Sequence, residues 1–161
     1  AKVQKTEKLK TQPQQCLGGI KPVKNTLRSK QLLTKNQSLV LEALREAKHP
    51  VGAYELLDQL REHGLRAPLQ IYRTLDQLIE LKIVHRLESL NAWTLCCDAE
   101  HDSTPVFAIC NDCGIVKEYF DETLSSNIAN ISKQSGFVAD RSIIEIHGRC
   151  DQCEPTQDEL G

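Results

Sequence analysis

The sequence predicts an α+β chain in two lobes, three helices and a hairpin followed by a small α/β lobe. Apolar residues recur at helical spacing in three successive segments, two short extended stretches come next, and two Cys-x-x-Cys pairs bracket the last third. At 161 residues the chain holds one ordinary domain or two small ones. Aromatic residues make up only 4%, so burial rests on Leu, Ile and Val, and lobes this small lean on a metal or a dimer partner.

Thr34 is placed to cap a first helix in which Val40, Leu44 and Ala47 recur at i, i+4 and i+7, ending near His49 and Pro50. A second helix is expected over 53–63, burying Ala53, Leu57 and Leu60 and stopping at Gly64, a favoured residue just past a helix end. A third opens at Pro68, which a first helical turn tolerates. Its buried face is Ile71, Leu75, Leu78 and the stem of Lys82, with Gln70, Arg73, Gln77 and Glu80 opposite. Residues 83–87 and 92–96 read as paired strands across a polar turn at 89–91. Three helices followed by a hairpin is winged-helix order.

Residues 97–105 turn polar and acidic and read as a hinge. Beyond them the pattern is strand, turn, strand, helix, strand. Residues 106–109 and 115–119 flank a Cys-x-x-Cys-Gly knuckle, and Asp121 caps a helix carrying Leu124, Ile128 and Ile131. Gly136 closes that helix, and 137–147 return as a strand. The expected plan is a basic disordered tail over 1–28, a winged-helix domain over 29–96, the hinge, a second domain over 106–153 and a loose acidic tail over 154–161.

Four of the seven cysteines form the pairs Cys110 with Cys113 and Cys150 with Cys153. A two-residue gap lets one tight turn supply two corners of a tetrahedron, and four thiolates suit a closed, structural zinc site. The 36 residues between the pairs contain a strand, a helix and a strand, so the metal would tie together the ends of the second lobe. A redox dithiol is the alternative, but it accounts for one pair and leaves the other unexplained. The remaining candidate ligands gather near the junction of the lobes: His85 and Cys96 on the two hairpin strands, His101 in the hinge and Glu118 on the strand after the knuckle. Cys97 stands beside Cys96 as a competing thiol, and a strand-end His is also a common surface residue.

Charge is uneven. Residues 1–35 carry nine Lys or Arg against the single acid Glu7, whereas 98–161 carry thirteen acids against four bases. A basic end of this kind suits nucleic acid. No apolar run approaches the roughly 20 residues that cross a bilayer, and the N-terminus has no apolar signal segment, so the expectation is a cytoplasmic protein without membrane partners.

The runs Ile71-Tyr72-Arg73-Thr74-Leu75 and 83–89, with Phe107-Ala108-Ile109-Cys110, Cys113-Gly114, Val116-Lys117-Glu118 and the Ile144-to-Cys153 segment, resemble the ferric uptake regulator family over about residues 34–153. Trp93-Thr94-Leu95-Cys96 makes the zinc uptake regulator branch the nearer likeness. The resemblance implies a winged-helix DNA-binding domain followed by a dimerisation domain. It implies a zinc-responsive repressor of zinc uptake genes that grips palindromic double-stranded operator DNA as a homodimer, with no catalysis and no small-molecule substrate. It further implies two zinc ions per protomer, a structural one on Cys110, Cys113, Cys150 and Cys153 and a regulatory one on His85, Cys96, His101 and Glu118. A thiolate among imidazole and carboxylate ligands independently favours zinc over iron or manganese. On the DNA side the candidates are Gln70, Tyr72, Arg73, Gln77 and Lys35, with partial core packing the alternative for Tyr72. Relatives place Arg at Ser38 and Ser or Thr at Gln70, so no operator sequence carries over.

Overall fold

The computed structural model describes the backbone of residues 15–16 and residues 32–47, 49–97 and 103–153. In chain order they form β1 (Gln15–Cys16), α1 (Lys35–Ala47), α2 (Ala53–Leu60), α3 (Pro68–Glu80), β2 (Val84–Leu87), β3 (Ala92–Leu95), β4 (Pro105–Cys110), β5 (Val116–Phe120), α4 (Glu122–Gln134) and β6 (Ile144–Gly148). These elements fall into two compact units that divide between Cys97 and Ser103, β1 belonging with the second. The expectations for the acidic tail, for His101 and for most of the basic tail lie outside the described residues.

In the first unit α1 begins with a capping box. Thr34 Oγ1 accepts from the Gln37 N–H at 3.3 Å, and Gln37 Oε1 accepts from the Thr34 N–H at 2.9 Å. The helix buries Val40, Leu41, Ala43 and Leu44. The second helix buries Ala53, Leu56, Leu57 and Leu60, tightens into a 3-10 turn (Arg61–His63) and ends on Gly64 at φ 102°, a left-handed conformation that glycine adopts without a Cβ penalty. The third helix buries Ile71, Thr74, Leu75 and Leu78.

One expectation fails at its end. Lys82 does not continue the buried stripe: α3 stops at Glu80, and Lys82 is exposed at φ 58°. The Ile83 N–H reaches back to Leu78 O at 3.1 Å and the Lys82 N–H to Ile79 O at 2.9 Å, so Lys82 fills the left-handed position of a Schellman ending.

The second and third strands pair antiparallel from Val84↔Leu95 to Leu87↔Ala92, and the Cys96 N–H prolongs the ladder to Ile83 O at 2.8 Å. Val51, between α1 and α2, exchanges both backbone hydrogen bonds with Trp93 at 2.8 and 2.9 Å and so adds a third rung to the wing. Trp93 is 1% exposed, edge-on to Tyr72 with ring centroids 5.7 Å apart, and the Arg86 guanidinium lies 5.2 Å from its ring centre. It packs in one cluster with Val40, Leu44, Leu56, Ile71 and Leu75. Leu75→Ala should therefore cost about 2–5 kcal/mol of this unit's stability. Chemical unfolding followed by emission of Trp93, the one tryptophan in the chain, reads that loss directly.

The second unit is a sheet of order β1-β5-β4-β6. Its fourth strand is nearly all apolar and pairs antiparallel with β5 and parallel with β6, burying Val106, Phe107 and Ile109. The first strand, in a stretch expected to be irregular, pairs parallel with β5 at Gln15↔Lys117 and Cys16↔Glu118. Asp121 caps α4 through Oδ1, which accepts from the Leu124 N–H at 2.7 Å. Gly136 at φ 70° closes it, with Phe137 N–H to Ser132 O at 2.9 Å. The strand expected over 137–147 forms only at Ile144–Gly148, because Asp140, Arg141 and Ser142 interrupt the alternation that a half-buried strand needs. No residue of α4 is buried, and Ile131, Phe137, Val138 and Ile146 are exposed.

Candidate metal centre and nucleic-acid interface

The fourth strand ends in Cys110, and the next three residues turn the chain so that the Gly114 N–H meets Cys110 O at 2.9 Å. Gly114 takes φ 72°, which lets Cys110 and Cys113 face the same way. The second knuckle closes through the Cys153 N–H to Cys150 O at 2.9 Å. Parallel pairing of β4 with β6 sets Cys110 opposite Gly148, two residues before Cys150, and the Asn111 N–H to Gly148 O bond at 2.8 Å fixes that register. Sheet pairing thus carries residues far apart in sequence to one corner. All four Sγ atoms lie within 4.8 Å of one another, Cys113 and Cys150 at 3.6 Å.

This geometry passes the test for zinc. Tetrahedral Zn–S bonds of about 2.3 Å place neighbouring sulfurs about 3.8 Å apart. A disulfide needs about 2.05 Å, whereas Cys113 and Cys150 stand 3.6 Å apart, the separation of sulfurs that share one metal. The electrostatics agree. Burial works against the Cys110 thiolate, but N–H groups of Cys113, Cys150 and Asp112 outweigh it and bring its pKa down to about 6. Burial pushes the Cys113 thiol up, and the facing sulfurs of Cys113 and Cys150 push Cys153 up to about 12. One thiolate is welcome here; four together require a cation. Arg149 Nε to Asp112 Oδ2 at 3.1 Å clasps the two knuckles from outside.

In the first unit, His85 and Cys96 share one face of the wing. His85 pairs with Thr94, and Cys96 lies two residues beyond Thr94, which makes it a diagonal neighbour. Their ligand atoms lie within 4.8 Å. Cys97, the next residue, lies in a bend beyond the last ladder bond of the wing. Glu118 stands on β5 of the second unit, buried, with Phe107 and Cys16 as its ladder partners.

Along α3, Gln70, Arg73 and Gln77 are exposed at i, i+3 and i+7 and form one stripe. Arg73 makes no ion pair among the described residues, and its fork of donors is unengaged. Tyr72 is half-buried against Trp93, as the packing alternative anticipates. Gln70 Oε1 accepts from the N–H groups of Arg66 and Ala67 at 2.9 and 3.0 Å, completing the helix start. Gln77 Oε1 accepts from Gln37 Nε2 at 3.0 Å. Gln37 is a residue that sequence reasoning missed, although its place three residues after Thr34 is the capping-box spacing. Lys35 is the exposed first residue of α1.

The family model for the ferric uptake regulator family matches residues 29–147, across both units. The chain belongs to the ferric uptake regulator family. The zinc uptake regulation protein of Escherichia coli (strain K12) is 36% identical over 123 residues, 75% of this chain and 72% of that protein. The ferric uptake regulation protein of the same strain is 29% identical over 125 residues, 74% of this chain and 82% of that protein. Among solved structures, a zinc uptake regulator complexed with zinc and DNA superposes with a TM-score of 0.69 at 35% identity, covering 75% of this chain and 82% of that one. Members of this family are transcription regulators, and the expected layout of winged-helix and dimerisation domains is theirs.

Proposed function

We propose that the protein is a zinc-responsive transcriptional repressor that binds palindromic operator DNA as a homodimer and controls zinc uptake genes. Its likeness to a zinc uptake regulator complexed with zinc and DNA carries this reading, and the four-cysteine cluster, with His85 and Cys96 on one wing face, gives it chemistry. Cys110, Cys113, Cys150 and Cys153 would hold a structural zinc. His85 and Cys96 of the first unit, Glu118 of the second and His101 of the connecting segment would hold a regulatory one, making two per protomer. Zinc, when bound, supplies a cross-link that fixes its ligands in a tetrahedron.

With those four residues fixed, the two α3 helices of a dimer are held at a spacing matched to half-sites about one helical turn, roughly 34 Å, apart. Without that constraint they sample many spacings, and DNA selects few of them. The dimer reading draws on the apolar residues left exposed around α4, namely Ile131, Phe137 and Val138, and on Ile146 of β6, an edge strand. No helix among the described residues is long and apolar enough to cross a membrane.

Metal-stripped protein, mixed with fluorescent duplexes enriched from a random pool, should regain DNA binding with zinc and not with iron(II) or manganese(II). Equal recovery with the three metals contradicts the zinc assignment. On the same duplexes Arg73→Ala should weaken binding about 5- to 150-fold, the loss of one good bidentate base contact, without changing the zinc midpoint for folding.

A further inference from the structure

The exposed stripe of α3 carries a polarity that the sequence does not reveal. An amide side chain can present either its carbonyl oxygen or its NH2, and only its neighbours decide which. A chain of three hydrogen bonds decides it for Gln77. The Thr34 backbone N–H can only donate, so the Gln37 atom 2.9 Å from it must be Oε1. Gln37 is buried, so its NH2 is held on its other side and donates to Gln77 at 3.0 Å, and the Gln77 atom facing it must be Oε1. The free end of exposed Gln77 is therefore Nε2, a donor. Gln70 is set in the same sense, because two backbone N–H groups hold its Oε1.

Resting on the reading of α3 as the DNA-contacting helix, we infer that Gln77 is a specificity-determining residue that reads keto oxygens in the major groove, with Gln37 as the positioning residue that fixes its polarity. Guanine O6 and thymine O4 accept at that edge, whereas adenine N6 and cytosine N4 donate. An amide able only to donate prefers guanine or thymine at its position. It cannot make the two-way contact with adenine that a freely rotating glutamine makes. Gln70, Arg73 and Gln77 then line up as donors over about 10 Å of helix, at 1.5 Å per residue. Asp76 and Glu80 are exposed acceptors on the same helix, so the donor rule applies to the amides and not to the whole surface.

The relay makes a reversal possible. Gln37→Glu keeps an acceptor for the Thr34 N–H, in the capping-box residue type that helix starts favour, but replaces the donor toward Gln77 with an acceptor. Gln77 must then turn its NH2 inward and show its oxygen to the groove. The test is selection of duplexes from a random pool by the zinc-loaded full chain, its Gln37→Glu variant and its Gln77→Ala variant, each first shown to melt cooperatively by circular dichroism. The parent should enrich a palindrome. Gln77→Ala should flatten one position per half-site, erasing a preference of about three- to ten-fold for which strand carries the guanine or thymine there, the range of one neutral hydrogen bond. Gln37→Glu should invert that position, so that the strand carrying guanine or thymine in the parent's sites carries adenine or cytosine instead. The inference is overturned if Gln77→Ala flattens no position, or if folded Gln37→Glu keeps guanine or thymine on the same strand at that position as the parent does. Should Gln37→Glu fail to fold, the Gln77→Ala result decides alone: a variant that flattens no position overturns the inference. Absence of any enriched duplex with the parent would instead overturn the DNA-binding reading itself.

Discussion

Cys110→Ser is expected to abolish the fold of the C-terminal unit while the N-terminal unit stays intact. The four-cysteine corner joins the end of β4 to the segment after β6, and α4 buries no residue that would hold the lobe closed without it. Structural zinc sites contribute about 10–16 kcal/mol, as much as the whole stability of an ordinary domain. A serine hydroxyl stays protonated and is a poor zinc ligand, so the loss is close to complete. The variant should lose one zinc per chain by mass spectrometry and part of its far-ultraviolet circular dichroism. Trp93 emission should remain native, since its contacts are with Tyr72, Arg86 and the three-helix core. A native spectrum with zinc absent would show that the sheet supports itself.

Cys96→Ser is expected to do the opposite, leaving both units folded and removing the response to zinc. Cys96 holds the wing through its backbone, whose N–H bonds Ile83 O, and serine preserves that bond. What it removes is the one thiolate of the proposed regulatory set. DNA affinity at saturating zinc should stay at the level of parent protein holding only its structural zinc, a loss of about 5- to 150-fold for couplings of ordinary size. Thermal melting of the protein holding only its structural zinc should move little. A Cys97→Ser variant, altered beyond the paired wing strands, should respond to zinc like the parent.

The contrast between these variants follows from what each part of the chain encodes locally. Cys-x-x-Cys spacing, the cap at Thr34 and the stops at Gly64 and Gly136 are short-range chemistry, and each is where the sequence placed it. The stripe of Ile71, Leu75 and Leu78 is equally legible, because helical period alone decides which side meets the core. Lys82 shows the limit: its spacing fits the stripe, but the last carbonyls of α3 are satisfied sooner by a left-handed turn. Long-range pairing was not legible at all. Nothing local announces that Val51 bridges to Trp93, that Gln15 and Cys16 pair with β5, or that Gln37 reaches Gln77 across forty residues. The second ligand set was legible as residue types only. Sharing of one wing face by His85 and Cys96 depends on the hairpin register, which a slip by one residue would undo.

In the proposed mechanism two zinc ions do two different things, one sustaining the fold and one setting the grip on DNA. The most direct measurement is a zinc titration of metal-stripped parent, Cys96→Ser and Cys110→Ser, with anisotropy of a selected duplex and circular dichroism read on the same samples. For the parent, the first equivalent should restore structure and the second should raise DNA affinity. Cys96→Ser should show only the first step, and Cys110→Ser should regain neither native structure nor tight DNA binding. DNA affinity indifferent to saturating zinc in the parent, or the same titration curves from both variants, would contradict the account.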